Sequence, residues 1–484
     1  MKNALLDQIY DPEQFRAQGH QLIDTLAAHL IDAQKGAGKT IAYQDPEKEK
    51  TFWEQYPKDT EFHDLVKDIM QRSIHVHHPK YMGHQVAPAN PTNALTALIS
   101  GLFNNGSAVY EMGMSNTALE FIVTQRLCLQ LGYDKNARGY LTSGGTLANL
   151  TALLAARSVK VSSGVWKNGH DKPLAIMVSE EAHYCVDRAA RIMGLGDKGI
   201  IKVPATDQYV MDVTAMEAAY QEALASGLEV FAIVGSAPST ATGMIDPLDQ
   251  IGVFANKHGL WFHVDGAHGG AAIYSKKYSS DLKGIDSADS VAIDGHKMMM
   301  MPSLTTALLF KDGTHSYKTF SQKADYLLSH SEDEDWYNMA KRTFECTKNM
   351  MSIHWYTLFH QYGSAGFDAF VTHLYDMGKV FAATLVEHPN FELALAPQTN
   401  IVCFRYVAPG LDLAALNSLN EDLRTALVQQ GDFYIVQTKL RGTHYLRVTI
   451  MNPKTTQEHI TELLKHLEEL SVPLLEKRSS DTNL

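Results

Sequence analysis

Two stretches of the chain each place a reactive side chain at the end of an apolar, strand-like run. In Ser290-Val291-Ala292-Ile293-Asp294-Gly295-His296-Lys297-Met298-Met299, a lysine follows directly on a histidine. An amine so placed can form a Schiff base with a carbonyl compound. A lone lysine is usually a solvated surface group. The second stretch changes its weight: Trp261-Phe262-His263-Val264-Asp265 ends in an acid and runs on into Gly266-Ala267-His268-Gly269-Gly270, small residues that let a flat ligand approach.

Upstream, Tyr140-Leu141-Thr142-Ser143-Gly144-Gly145-Thr146-Leu147 opens a helix with a glycine- and hydroxyl-rich turn. Such a turn offers backbone N–H groups and the positive end of a helix dipole to a phosphate, although it is also an ordinary helix start. Ser179-Glu180-Glu181-Ala182-His183-Tyr184 sets an imidazole where a strand meets a helix. That ring could stack on a planar cofactor, or simply bond within its own loop. An amine for an aldehyde, an acid for a ring nitrogen and a phosphate turn are together what pyridoxal 5'-phosphate requires.

The elements that must position these groups are legible in outline. From about residue 76 to 310, helical segments alternate with short apolar runs, among them Leu174-Val178, Val230-Val234, Leu260-Val264 and Thr306-Phe310. That alternation predicts an α/β unit with a mainly parallel central sheet and helices on both faces, whose ligands sit outside the carboxyl ends of the strands. Residues 1–75 carry helical patterns without a core of their own, starting at Asp11-Pro12, and suggest an arm that packs on a partner subunit. Residues 76–375 form the expected large domain, and residues 376–484 a small α+β domain ending in a polar, frayed tail.

Composition narrows the function classes. A net charge of −12 gives no support to nucleic-acid binding. No run of eighteen apolar residues is present, so no membrane span is expected, and the acids and missing apolar run near Met1-Lys2-Asn3-Ala4 give no expectation of a signal peptide. The four cysteines, Cys128, Cys185, Cys346 and Cys403, are scattered without a CxxC pair, which fits reduced thiols in the cytoplasm. Histidines cluster at His75, His77, His78 and His84, but no cysteine or well-spaced carboxylate completes a coordination set, so no metal is expected.

In this order on successive strand ends, the turn, His183, Asp265 and His296-Lys297 resemble the fold-type I pyridoxal-phosphate enzymes, and among them the group II amino-acid decarboxylases. The resemblance runs from His78-Pro79-Lys80-Tyr81 and Tyr110-Glu111-Met112 to Arg447-Val448 and is nearest in kind to the glutamate, cysteine-sulfinate and aromatic amino-acid decarboxylases. It implies that Lys297 holds the cofactor, that Asp265 pairs with the pyridine nitrogen, and that His183 stacks on the ring with Ala267 against the other face. It also gives the phosphate to Gly145, Thr146 and His296. Where the family has Gly-Thr-Thr, this chain has Pro238-Ser239-Thr240, with Ser239 expected to keep the cofactor-contacting hydroxyl. Where the family has Asp-Ala-Ala-Tyr or Asp-Ala-Ala-Trp, it has Asp265-Gly266-Ala267-His268.

The resemblance further implies a closing loop over Tyr326 to Asn338, with Tyr337 as the acid that reprotonates Cα. Arg447 is the candidate to orient the substrate carboxylate, since a guanidinium fits a carboxylate in bidentate fashion. His84, Gln85 and Tyr110 are the other candidates to meet the substrate. The expectation is therefore a homodimeric carboxy-lyase releasing carbon dioxide and an amine from an L-amino acid, with glutamate, aspartate or cysteine sulfinate as candidate substrates. Diamino or aromatic amino acids, transamination and aldehyde synthesis on the same scaffold are the alternatives. A cofactor-free relative acting through dimer contacts is a rival of another class.

Overall fold

The computed structural model describes residues 4–162, 164–320 and 335–482. By contacts the chain divides into two compact units, Gln85–Lys379 with Leu395–Val402, and Met1–His84 with Val380–Ala394 and Cys403–Leu484. The division differs from the arm, large domain and small domain expected from sequence, because the N-terminal helices share a unit with the C-terminal residues.

The larger unit is built on a sheet of seven strands among the described residues: β1 (Arg138–Thr142), β2 (Leu174–Ser179), β3 (Ile200–Val203), β4 (Glu229–Ser236), β5 (Trp261–Asp265), β6 (Ser290–Asp294) and β7 (Thr306–Phe310), in the order β1-β7-β6-β5-β4-β2-β3. Only β7 runs antiparallel to its neighbours. Every residue of β2, β5, β6 and β7 is buried, so both sheet faces are covered. This is why these strands read as continuous apolar runs rather than as alternations.

Helix Gly145–Lys160 links β1 to β2 and packs across β4, β5 and β6. Its buried Ala148, Ala152, Ala155 and Ala156 leave little side chain between helix and sheet, so its first turn comes close to the strand ends. β1 was not anticipated. It pairs with β7 through Tyr140↔Leu308 and Thr142↔Thr306, a long-range partner that local pattern does not reveal.

Among the described residues a second sheet has four strands, order β10-β11-β9-β8, formed by β8 (Phe391–Leu393), β9 (Ile401–Tyr406), β10 (Val436–Leu440) and β11 (Thr443–Thr449). The β10–β11 hairpin turns on Arg441 and Gly442, both at positive φ (46° and 86°), as a tight two-residue turn demands. Asp11 caps helix Pro12–Gln34 by accepting from the Glu13 amide at 2.9 Å. The polar tail expected to fray is instead helical to Thr482, where Arg478 pairs with Asp422 at 2.5 Å. No helix among the described residues is long and apolar enough to cross a membrane.

Candidate active site

Register brings the reactive groups together. Asp265 closes β5 opposite Ala292 of β6, so Asp294 and the turn carrying His296 and Lys297 extend past the same sheet edge. On β7, Thr306 lies opposite both Asp294 and Thr142, and helix Gly145–Lys160 begins just beyond. A cavity of about 340 Å³ opens here, and its wall carries Gly145, Thr146, His183, Asp265, Ala267, His296 and Lys297.

Ser239 does not join them. Its hydroxyl lies 2.8 Å from Thr242 Oγ1 and its amide bonds Met244 O at 2.9 Å, closing a compact turn. Pro238 and Thr240 line the cavity in its place. The Ser239 hydroxyl thus makes its bond within this turn and does not line the cavity.

At the anion end, Gly144 has φ +114°, open to glycine and strained for other residues, and this sets Gly145 at the helix start, where amides lack intrahelical partners. A Cβ on Gly145 would stand 3.1 Å from both Asp294 carboxylate oxygens and 3.3 Å from the Ala267 methyl, so the bare backbone keeps the cradle open. Thr142 and Ser143 are engaged elsewhere. Glu345 accepts from the Thr142 hydroxyl at 2.7 Å, the Ser143 hydroxyl at 2.6 Å and the Ser143 amide at 3.0 Å, while Gly145, Thr146 and His296 line the cavity.

Lys297 Nζ lies 3.1 Å from Asp294 Oδ2, and the other Asp294 oxygen accepts from Thr306 Oγ1 at 2.6 Å. His296 Nε2 is 3.6 Å from the same acid, while its Nδ1 faces Thr305 O at 3.2 Å. Sequence reasoning assigned no role to Asp294. Its position three residues before the lysine, at the strand end, was the available signal.

Asp265 is held by the Asn149 side-chain amide at 2.9 Å and the Ala267 backbone amide at 3.2 Å. Asn149 was likewise unassigned. It sits one helical turn beyond Gly145, which places it over the strand ends. Burial holds the His183 imidazole below its usual range, with Asp265 acting in the opposite sense. Burial, aided by Asp265, pushes the Cys185 thiol up to about 12. His183, Cys185 and Asp265 bring one ligating atom each within 4.8 Å of one another, whereas the histidines at 75–84 form no such group among the described residues.

The remaining sequence candidates are more scattered. Tyr110 and Tyr337 pack edge to face at 5.8 Å, and the Tyr110 amide donates to Asn338 Oδ1 at 3.2 Å, but neither ring lines the cavity. The loop positions Tyr326 to Glu334 lie outside the described residues. Gln85 Nε2 is buried with no hydrogen-bond partner among the described residues. Two residues on, the Ala87 amide bonds His296 O at 3.4 Å. His84 and Arg447 belong to the smaller unit, where burial, then Arg447 and Arg424, lower the His84 pKa.

The cavity's donor set matches each portion of pyridoxal phosphate. Amides of a helix start and an imidazole suit the phosphate, an amine the aldehyde, and a buried carboxylate the ring nitrogen. A second imidazole and a methyl group offer walls to the ring. Sheet and site together define a fold-type I pyridoxal-phosphate enzyme.

Residues 46–407 match the family model described as "Pyridoxal-dependent decarboxylase conserved domain", and the chain belongs to that family. It is a pyridoxal-phosphate-dependent amino-acid decarboxylase, a carboxy-lyase. It is 25% identical over 467 residues to an aromatic-L-amino-acid decarboxylase of Bacillus atrophaeus, covering 95% of this chain and 96% of that one. It is 29% identical over 412 residues to an L-aspartate decarboxylase of Metarhizium robertsii, covering 84% and 81%. Among solved structures, it resembles the glutamate decarboxylase domain of a diaminobutyrate–pyruvate transaminase and L-2,4-diaminobutyrate decarboxylase from Vibrio parahaemolyticus. That likeness has a TM-score of 0.81 at 27% identity and covers 93% of this chain and 96% of that chain.

Proposed function

We propose that the protein removes the α-carboxylate of an acidic L-amino acid, with aspartate, glutamate and cysteine sulfinate as the candidates. The observation that carries the acidic preference is a gathering of basic groups: Arg447 and Arg424 lie close enough to His84 to act on its charge. The likeness to an aspartate decarboxylase points the same way. In this reading Arg447 holds a substrate carboxylate by paired N–H donors, and His84, Gln85 and Tyr110 meet the rest of the molecule. That the buried Nε2 of Gln85 has no hydrogen-bond partner among the described residues supports its role.

The bound cofactor supplies an electron sink for the pair released when the Cα–carboxylate bond breaks. Asp265 holds a proton at the ring nitrogen, since a carboxylate beside that atom favours its charged form. Lys297 would provide the amine that holds the cofactor's aldehyde, with Asp294 3.1 Å from that amine to steady its charge. His183 and Ala267 confine the ring, and Gly145, Thr146 and His296 bind its phosphate. Tyr337 delivers the proton to Cα.

We further infer a homodimer working in the cytoplasm. Leu95, Leu98, Ile99, Leu102 and Phe103 are all exposed on helix Pro91–Phe103, an apolar row of the kind that marks an interface. The scattered cysteines, none of them in a disulfide among the described residues, fit a reducing compartment.

The test is carbon dioxide release from purified, cofactor-loaded protein offered each amino acid in turn. The expected result is a kcat/KM for one acidic substrate at least about tenfold above those for 2,4-diaminobutyrate and the aromatic amino acids. Preferred turnover of a diamino or aromatic substrate overturns the assignment.

A further inference from the structure

We propose that a buried line of hydrogen bonds from Trp261 through Ser290, His263 and Asn149 is the positioning device for Asp265. This rests on the reading that gives Asp265 to the ring nitrogen. Trp261, His263 and Asp265 alternate along β5 and share one sheet face, Ser290 is the register partner of His263 on β6, and helix Gly145–Lys160 lays Asn149 over them. The four relay side chains are at most 1% exposed. Their links are short: Trp261 Nε1 to Ser290 Oγ at 2.9 Å, Ser290 Oγ to His263 Nδ1 at 2.8 Å, His263 Nε2 to Asn149 Oδ1 at 2.8 Å, and Asn149 Nδ2 to Asp265 Oδ2 at 2.9 Å.

The direction of every proton in this line follows from its two ends. An ionised Asp265 only accepts, so Asn149 must turn its NH₂ toward it and its oxygen toward His263. His263 Nε2 must then carry hydrogen. Burial pushes this imidazole down to about 4, so it is neutral near pH 7 and its Nδ1 is bare. A bare Nδ1 needs a donor. Of the two Ser290 oxygens beside it, the carbonyl at 3.1 Å has no hydrogen, which leaves the hydroxyl. That hydroxyl in turn accepts from the Trp261 indole, a group that can only donate. Each member has a single consistent orientation, and all of them aim a donor along the line toward the carboxylate.

Such a line resists reversal, since turning one member leaves two lone pairs or two hydrogens facing each other in a dry interior. It fixes Asp265 in place, with the Asn149 NH₂ aimed at its carboxylate. His263, Asn149 and Ser290 are therefore positioning residues.

The experiment titrates apo-protein with pyridoxal 5'-phosphate and follows the pH dependence of the bound cofactor's visible absorbance. His263→Phe is expected to weaken cofactor binding roughly tenfold, about the size of one lost buried hydrogen bond, and to displace that pH profile. His263→Gln, whose Nε2 can still donate to Asn149, is expected to recover most of both. In an Asp265→Asn background, His263→Phe is expected to change binding less than about twofold, because its effect passes through the acid. Equal factors in the two backgrounds, or an unmoved pH profile, overturn the relay. If Asp265→Asn alone alters neither affinity nor profile, it is the ring-nitrogen reading of Asp265 that fails. Should His263→Phe not fold, Ser290→Ala removes one hydroxyl and must still shift the pH profile; an unshifted profile there overturns the relay as well.

Discussion

Lys297 Nζ stands 3.1 Å from the carboxylate of Asp294, the last residue of β6, and that carboxylate is itself fixed by the Thr306 hydroxyl across the antiparallel β6–β7 pair. The amine is thereby held at the sheet edge. Lys297→Ala is expected to abolish the borohydride-sensitive visible band of cofactor-supplied protein while leaving its thermal melt nearly unchanged, since the lysine is partly exposed. Asp294→Asn is expected to keep the band, because the lysine remains, but to lower kcat by about tenfold or more through a misplaced amine. Absorbance before and after reduction, with single-turnover kinetics, checks both.

Gly145 is a test of the anion cradle. Adding one methyl there places it 3.1 Å from Asp294 and 3.3 Å from Ala267, closer than such carbons usually come. Gly145→Ala is expected to reduce cofactor affinity by about tenfold, and Gly145→Val by much more, with helix content retained. Cofactor titration alongside circular dichroism measures the two separately.

Stability is expected to fall in acid. Burial holds His263 and His354 down to about 4, whereas an unfolded imidazole titrates near about 6.5. Between those values the unfolded chain binds protons that the native one does not, so their contribution is present above about pH 6.5 and is lost as pH falls toward 4. Asp246 works the other way. Burial raises it to about 6, so from there down to about pH 3.9 the native state binds the extra proton and gains stability. Taken by themselves, these two histidines against one acid leave a net loss of roughly 2 kcal/mol between pH 7 and 5. Denaturant midpoints across that range check it, and Asp246→Asn is expected to steepen the decline.

Tyr337 is paired with Tyr110 and does not line the cavity in this structure, yet the family reading gives it the proton for Cα. Tyr337→Phe is expected to cut amine yield per carbon dioxide released and raise carbonyl by-products. An unchanged amine yield removes the assignment.

Much was legible along the chain because the relevant physics is local. Continuous apolar runs marked the strands of a sheet covered on both faces. A lysine and an acid at the ends of two such runs marked the site, and Ser143-Gly144-Gly145-Thr146 at a helix start marked the anion end. The family itself follows from those motifs in that order.

What tertiary structure alone decided is how neighbours across the sheet share out their hydrogen bonds. Ser239 carries the expected hydroxyl, and tertiary structure sets it against Thr242 Oγ1 within its own turn. Glu345, some two hundred residues away in sequence, occupies the Ser143 donors. Asn149 looked like one more polar residue on a helix until the packing of that helix set it between His263 and Asp265. Residue type and spacing determine which chemistry a chain can perform. Which donor meets which acceptor depends on register and on close helix–sheet approach, and those are settled by contacts between residues far apart in sequence.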